Sequence, residues 1–514
     1  MWATTWGFKS PLRHQETQGL AGIVPPALFL SFLYLCHFYA AYSRPPILSH
    51  DAVVWRRSWN RNPSGSYPPL QQPVESHPYA IQKEARLFVC FSKESGKVGI
   101  IEPMNITFQR VIDRFVGVPV CASFSLVDRL RGKPGSLSPP RKVLVILLSE
   151  MGSLVLARPM FERLKQQYPE ASIHALVFAK NREALDLLGV IPEENVLTLD
   201  DRSIGVFATG IVRVLRALRT FRFDVVIDCE LFARVSSAFS YLSGAPIRVG
   251  FHPHTQEGLY RGSFINRAVL YNPYRHLSLQ FLTMADAIES DTVPRAKHPS
   301  TPDPVAPSPM VFPAGELQQV AARFHADFPS IRGRRLVLVY PSGGLLPIRA
   351  WPLDNYRRFC DEILKDGHAL GVIGLESDKP LARAIVEHCR SPFCVDLTGY
   401  TGSVRHLIAL FHQGSLLVTN DGGPGHFAEL APVPAIIFFG PETPVLYGPL
   451  SRNAFCFHLS LPCSPCLTAY NHRTSPCDGD NQCLKRITVE QVVAKARDML
   501  GSSPDIPSTS TITA

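Results

Sequence analysis

Residues 415–440 read SLLVTNDGGPGHFAELAPVPAIIFFG. An apolar run, Leu416–Val418, ends at Asn420-Asp421, and four small or rigid residues follow, Gly422-Gly423-Pro424-Gly425. His426 then opens a short helical pattern to Leu430, and Pro432 and Pro434 close it before a second strand run, Ala435–Phe439. In that order, a strand, a glycine-rich turn and a helix start present unpaired N–H groups and the positive end of a helix dipole, with glycines allowing close approach. An anion is the natural ligand, and Asp421 and His426 flank the spot with an acceptor and a donor. A tight turn capped by Asp421 is the alternative reading. A second constellation is Cys463-x2-Cys466-x10-Cys477-x5-Cys483, whose first pair has metal-knuckle spacing. Four thiolates closing one structural Zn site are one expectation; free thiols or disulfides are the others.

Both constellations need a scaffold, and the chain supplies one from Arg141 onward. Short apolar runs at Val143–Leu148, Ile173–Phe178, Asn195–Leu199 and Asp224–Asp228 alternate with helical patterns at Val155–Tyr168, Arg182–Leu188, Ile211–Arg219 and Phe232–Leu242. The same texture returns after the Pro-rich run 292–313. Strands at Leu336–Tyr340, Ala369–Ile373 and Phe393–Asp396 alternate with helices at Leu353–Lys365, Pro380–His388 and Ser403–His412. Such alternation predicts two doubly wound, mostly parallel α/β domains. We place them at 141–298 and 314–500, joined by a linker at 299–313 and followed by a Ser/Thr/Pro-rich tail, 501–514. Ligands of open parallel sheets sit at strand C-terminal ends, so two such domains make a cleft between those ends.

The chain has 514 residues, 45 Pro, 12 Cys and a net charge of +9. Met1–Arg141 holds 16 Lys and Arg against 8 Asp and Glu, so +8 of that charge lies ahead of the α/β body. A nucleic-acid-binding face on the body is thereby disfavoured, and a basic N-terminal region suits an anionic membrane surface. Residues 1–103 form an N-terminal extension. Within it, 21–42 is uncharged, apolar and of spanning length although interrupted by Pro25-Pro26, and 44–103 is Pro/Ser/Gln-rich and expected to be disordered. Met104 opens a new texture and is a candidate true start. In the segment 104–140 an apolar core, Phe115–Val127, is bracketed by Arg110, Arg114, Arg129, Arg131 and Lys133, which suits a helix lying in a bilayer interface. A buried helix is the alternative.

Taken together, the loops resemble glycosyltransferase family 9, the lipopolysaccharide heptosyltransferases. The likeness is carried by the turn Met151-Gly152-Ser153, PSGG at Pro341–Gly344, RAWP at Arg349–Pro352, GLES at Gly374–Ser377, NDGGPGH at Asn420–His426, FGP at Phe439–Pro441, and the cysteines. It implies a GT-B fold: two Rossmann-like domains facing a central cleft, the first for the acceptor and the second for a nucleotide sugar. It also implies inverting, metal-independent transfer of a heptose-type sugar from an ADP-heptose-like donor to a lipopolysaccharide-core or lipid-linked acceptor, with no cofactor required for catalysis. By the same likeness Arg349 presents a cation to the donor diphosphate, whose developing charge needs neutralising. Glu376 holds a ribose, Ser342 and Gly343 lie near the nucleotide or phosphate, and Asp421, Gly422, Gly423, Gly425 and His426 hold sugar hydroxyls and pyrophosphate. Arg349 as a solvated loop cation and Glu376 as a helix cap are the plainer readings.

The family usually carries Asp directly after the Met-Gly of the first turn, as the base for the acceptor hydroxyl. Here that position is Ser153, whose own hydroxyl is far too weak a base. Glu150, three residues earlier, is the substitute the sequence offers, unless it merely caps the helix. The expected site of action is the cytoplasmic face of the inner membrane. A different nucleotide-sugar transferase of surface-polysaccharide assembly, or a non-catalytic membrane-anchored sugar- or nucleotide-binding paralogue, are the rival readings.

Overall fold

The computed structural model describes residues 113–131, 139–148, 150–231, 233–252, 260–297, 306–468 and 475–502. The apolar run 21–42, the stretch 44–103, Met104 and the tail beyond residue 502 lie outside the described residues.

Two six-stranded sheets organise the body, and every strand pair in both is parallel. The first contains β1 (Lys142–Ile146), β2 (Ser172–Phe178), β3 (Val196–Leu199), β4 (Val225–Asp228), β5 (Ile247–Phe251) and β6 (Arg267–Val269) in the order β3-β2-β1-β4-β5-β6. The second contains β7 (Leu336–Tyr340), β8 (Ala369–Gly374), β9 (Cys394–Thr398), β10 (Gly414–Asn420), β11 (Ala435–Phe439) and β12 (Ala454–His458) in the order β12-β11-β10-β7-β8-β9. Central strands are covered by helices on both faces, so they read as unbroken apolar runs: LVLVY in β7 and AIIFF in β11 are buried at every position. In register, Val145 pairs with Ala175 and Ile227, and Leu338 with Gly371 and Leu417. Each sheet is therefore a Rossmann-like unit whose strand order reverses once, between β1 and β4 and between β7 and β10. A crevice opens at the strand ends where that reversal occurs.

Before the first sheet, α1 (Val118–Arg131) lies on the first lobe. Its lobe also carries α2 (Met151–Gln167), α3 (Arg182–Leu188), α4 (Ile204–Phe221), α5 (Arg234–Leu242) and α6 (Leu277–Asp286). The second lobe carries α7 (Glu316–Asp327), α8 (Leu353–Lys365), α9 (Lys379–Cys389), α10 (Val404–Phe411), α11 (Gly423–Phe427), α12 (Pro444–Tyr447), α13 (Gln482–Lys485) and α14 (Val489–Ser502). α8 shows why an amphipathic sequence folds here: Tyr356, Phe359, Cys360 and Ile363, at i, i+3, i+4 and i+7, all face inward. β6, β12, α6, α7 and α14 have no counterpart in the sequence reading. α6 buries eight of its ten residues, so it has no polar stripe to betray a helical period.

The lobes meet directly. Apolar residues of both merge into one cluster that includes Met160, Phe281 and Met284 from the first and Phe427, Leu430 and Tyr447 from the second. Backbone N–H of Met310 donates to Leu430 O at 2.8 Å, and backbone N–H of Arg405 donates to Glu183 Oε1 at 3.0 Å. Among the described residues no helix is long and apolar enough to cross a membrane.

Candidate active site

β10 ends at Asn420, a fully buried amide that fixes three segments at once. Its Oδ1 accepts the Trp351 N–H at 2.8 Å and the Tyr356 hydroxyl at 3.0 Å, while its Nδ2 donates to Ser342 O at 3.1 Å. The loop after β7, the start of α8 and the end of β10 are thereby held together at the crevice of the second sheet. Trp351 stacks on Phe438 with centroids 4.6 Å apart and donates through Nε1 to Ile487 O at 3.0 Å, so it anchors the loop by packing. Buried Ser342 turns its hydroxyl inward to accept the Gly344 N–H at 3.1 Å. A Cβ on Gly343 would lie 2.6 Å from Leu346 O, so the turn can close only over a bare Cα.

Arg349 ends a short turn, Pro347–Arg349, of that same loop. Its Nη2 donates to Glu442 Oε1 at 2.9 Å, and its Nε faces Asp421 Oδ2 at 3.7 Å, too far for a hydrogen bond. The guanidinium is thus held between two carboxylates and mostly enclosed, rather than solvated. Burial, reinforced by the charge of Asp421, pushes the Glu442 carboxyl up to about 8 against the pull of Arg349, and Glu442 shares a hydrogen bond with Asp421. Burial thus favours the protonated form of Glu442, which in that form donates to Asp421.

Among the described residues four buried polar atoms here have no hydrogen-bond partner: Arg349 Nε, Asp421 Oδ2, His426 Nδ1 and Glu429 Oε1. The last two face each other at 3.8 Å, and Glu429 spends its other oxygen on the N–H groups of Leu450, at 2.7 Å, and Ser451, at 3.1 Å. Roughly 90% or more of buried polar groups in folded proteins are satisfied, and an orphan costs about 1–3 kcal/mol. Four such atoms in one neighbourhood, of mixed donor and acceptor character, describe a place for a polar ligand.

α11, which carries Gly423, Gly425 and His426, is only five residues long, so its dipole is small. Gly422 has an extended backbone that any residue adopts, whereas a Cβ on Gly425 would lie 3.0 Å from Ile437 Cδ1. His426 reaches the other lobe. A Cβ on Gly152 would lie 2.5 Å from His426 Cδ2, so this contact between α2 and α11 exists only because position 152 lacks a side chain. Met151, Gly152 and Ser153 form the first turn of α2, with the Ser153 N–H donating to Glu150 O at 3.1 Å. Glu150 precedes them at φ 64°, exposed, and its side chain makes no capping hydrogen bond. A non-glycine residue in that left-handed region costs on the order of 1–3 kcal/mol, the kind of local strain that persists at functional turns. A further interlobe contact is His276, which caps α6: its Nε2 donates to Gly448 O at 2.8 Å while its Nδ1 accepts from Ser278. Burial lowers its pKa.

Glu376 follows β8 and is exposed, 2.9 Å from Lys379 Nζ. Gly399, at φ 71°, leaves room for it: a Cβ there would come within 2.4 Å of Glu376 Oε2. The helix-capping carboxylate at this end is instead Asp378, which accepts the Leu375 N–H at 2.9 Å. The cysteine segment is tied to the same loops. Ser464 Oγ donates to Gly440 O at 2.6 Å, the N–H groups of Cys466 and Leu467 both donate to Pro441 O at 2.8 Å, and Asn481 Nδ2 donates to Ile348 O at 2.7 Å. Burial pushes the Cys483 thiol up to about 11, with Cys466, Cys463 and Cys477 near enough to add to the shift. Among the described residues no three metal-ligating side chains converge on one point.

Residues 211–475, more than half of the chain, match the sequence profile of glycosyltransferase family 9 (heptosyltransferase). The chain belongs to that family. It is 25% identical over 331 residues to lipooligosaccharide heptosyltransferase 2 of Haemophilus ducreyi, covering 62% of this chain and 88% of the relative. It is 24% identical over 366 residues to lipopolysaccharide heptosyltransferase 2 of Salmonella typhimurium, covering 70% and 98%. In fold it is similar to E. coli ADP-heptose lps heptosyltransferase II, with a TM-score of 0.54, 20% identity and coverage of 70% and 98%. A family 9 glycosyl transferase from Veillonella parvula gives the same TM-score and identity, with coverage of 71% and 98%. The fold is GT-B, and the protein is a glycosyltransferase.

In this family 9 enzyme the structure gathers Arg349, Asp421 and His426 around the crevice of the second sheet, sets Ser342 and Gly343 on its rim, and brings Gly152 against it from the other lobe. Glu442, Glu429, Asn420 and His276 were missed as site residues. Glu442 had a readable signal: it directly follows Phe439-Gly440-Pro441 at the C-terminal end of β11, where ligands of open parallel sheets sit. His276 had none, because it arrives from the first lobe.

Proposed function

We propose that this glycosyltransferase moves a heptose-type sugar from an ADP-heptose-like donor to a lipopolysaccharide-core or lipid-linked acceptor, at the cytoplasmic face of the inner membrane. The observation that carries the reading is the set of four unpartnered buried polar atoms at the crevice of the second sheet. Donor oxygens of a diphosphate would complete Arg349 Nε, and sugar hydroxyls would bridge Asp421 Oδ2, His426 Nδ1 and Glu429 Oε1. The names of the curated relatives, which this chain spans nearly end to end, support heptose as the sugar.

In the proposed sequence the donor seats in the second lobe with its ribose at Glu376 and its phosphates beside Ser342, Gly343, Arg349 and the backbone N–H groups of Gly422, Gly423 and Gly425. Glu150 accepts the proton of the attacking acceptor hydroxyl as the anomeric carbon inverts, and the departing nucleoside diphosphate keeps its charge on Arg349. Glu150 suits this role because it is an exposed carboxylate whose turn, with Met151 and Ser153, abuts His426 through Gly152. No metal has a part in the steps. Cys463, Cys466, Cys477 and Cys483 have the donor chemistry of a structural Zn site but do not converge on one point in this structure; stoichiometric zinc in the purified protein supports such a site, and four freely alkylated thiols in zinc-free, folded protein contradict it.

The test of function is nucleoside diphosphate release by purified full-length protein from ADP-heptose with a deacylated lipopolysaccharide-core acceptor. ADP release dependent on both substrates is the expected result. Release only from another nucleotide sugar would move the enzyme elsewhere in surface-polysaccharide assembly, and thermal protection by nucleotide sugars without turnover would make it a binding paralogue.

A further inference from the structure

α1 and the turn before it, Asp113–Gly117, present two unlike faces. The inner face docks on the first lobe: Cys121 is fully buried, Phe124 stacks on Tyr241 at 4.7 Å between centroids, and Ser125 meets the Tyr260 hydroxyl at 3.0 Å. Both carboxylates of the segment serve that inner face. Asp113 pairs with Arg234 and Asp128 with Arg248, each at 2.8 Å. The outer face is what remains. Phe115, Pro119, Ala122, Leu126 and Leu130 recur at intervals of three or four and are all exposed, with Phe115 71%, Leu126 62% and Leu130 82% accessible. Arg114 and Arg129, the cations of that stretch, are exposed among them.

A row of large apolar side chains left to water is unfavourable by roughly 25 cal/mol per Å² and marks a surface that something covers. The composition of this row says what. Its acids are consumed inward, so the outward charges among the described side chains are all positive, and the apolar stripe is one turn wide. That is the pattern of a helix lying in the headgroup region of an anionic membrane, its arginines on lipid phosphates and its apolar side chains among the upper acyl carbons. A protein partner would meet the same apolar stripe without needing an acid-free rim. At 14 residues the helix is about 21 Å long, suited to lying along a bilayer and too short to cross one.

We propose that the outer face of α1 is the membrane-docking surface of this enzyme, seating the first lobe on an anionic bilayer. α1 lies outside residues 211–475, the span that matches the family profile. The proposal gives the lipid-linked acceptor of the reading above a way to be met, and rests on that reading for its purpose alone.

The chain also carries an apolar run at 21–42, so the test must report on α1 itself. The photo-crosslinker p-benzoylphenylalanine is placed singly in the full-length protein instead of Leu126, Leu130 or, as a control on the second lobe, exposed Leu375. Each protein is irradiated with vesicles of equal parts phosphatidylglycerol and phosphatidylcholine, and lipid adducts are counted by mass spectrometry. Adducts at 126 and 130 at least about tenfold above 375, falling about tenfold with Arg114→Glu/Arg129→Glu or with pure phosphatidylcholine, are expected. Equal adducts at all three positions, or crosslinks from 126 and 130 to a second copy of the chain, overturn the proposal. Turnover of the deacylated acceptor by the same proteins is scored separately. Lipid adducts without turnover defeat the transferase reading alone, and turnover without adducts defeats the docking surface alone.

Discussion

Two crevices with the same strand order stand one in each lobe, and each pairs an aspartate at a strand end with an arginine from a loop. In the first lobe Arg261 and Asp228 are both fully buried and nothing is left over. Arg261 donates through Nε to Ala233 O at 3.2 Å, through Nη1 to Glu230 O, and through Nη2 to Asp228 and to Ser236 Oγ, the last at 2.8 Å. Asp228 also accepts the Ser237 hydroxyl and the Glu230 N–H, each at 3.2 Å. In the second lobe Arg349 has one firm bond, to Glu442, and its Nε points at an Asp421 oxygen without reaching it. The first pair is complete as it stands and holds its loops together. The second is incomplete, and incompleteness in a buried place is what a ligand site looks like before the ligand arrives. Topology made both crevices; hydrogen-bond satisfaction separates brace from binding site.

Four substitutions can break or sharpen that contrast. Arg261→Met removes one partner of a closed buried pair and leaves Asp228 uncompensated, so urea denaturation should show a loss of about 3–5 kcal/mol or outright failure to fold. Arg349→Gln should instead act on chemistry: kcat falls about 10²–10³-fold through loss of the cation beside the leaving diphosphate. Its melting temperature should move less than that of Arg261→Met; the reverse ranking would mean the two crevices have been assigned the wrong way round. Gly152→Ala drives a methyl group into His426 and should lower kcat/KM about 10²-fold by shifting one lobe against the other. Wild-type kinetics for that variant would show that the α2–α11 contact is not part of the active arrangement.

The smallest expected effect is on pH. The Glu442 carboxyl is raised from its ordinary 4.5 to about 8, mainly by burial and then by Asp421. The folded state then binds a proton that the unfolded chain has released, so this group favours folding most below its unfolded pKa and that contribution is lost as pH climbs toward about 8. Glu442→Gln should flatten the decline by on the order of 2 kcal/mol over that window, read from denaturation curves at several pH values. An unchanged slope would remove Glu442 as the proton carrier of the site.

Much of this was legible in the sequence. β7, β10 and β11 announce themselves because both faces are covered and the chain must be apolar throughout. Asn420–His426 stands out because a glycine-rich turn and a helix start between two such strands suit an anion, although the turn alone reads equally as a tight capped loop. Arg349 was legible as a cation on the right loop, but its enclosure by Glu442 was not, since the loops after β7 and β11 come together only because β10 pairs with both strands. β6 escaped notice because three residues, Arg267 to Val269, are too few to show a period. Glu150 was readable as a carboxylate beside the Met-Gly turn, yet its positive φ was not, since no glycine or turn residue there announces it.

The central claim is that the unsatisfied atoms around Arg349 and Asp421 exist to receive a nucleoside diphosphate. Calorimetric titration of ADP into wild type and Arg349→Gln tests it most directly. Measurable ADP binding by wild type, weakened about tenfold or more in the variant while folding is retained, is the result this account predicts. ADP affinity unaltered by the substitution would contradict it.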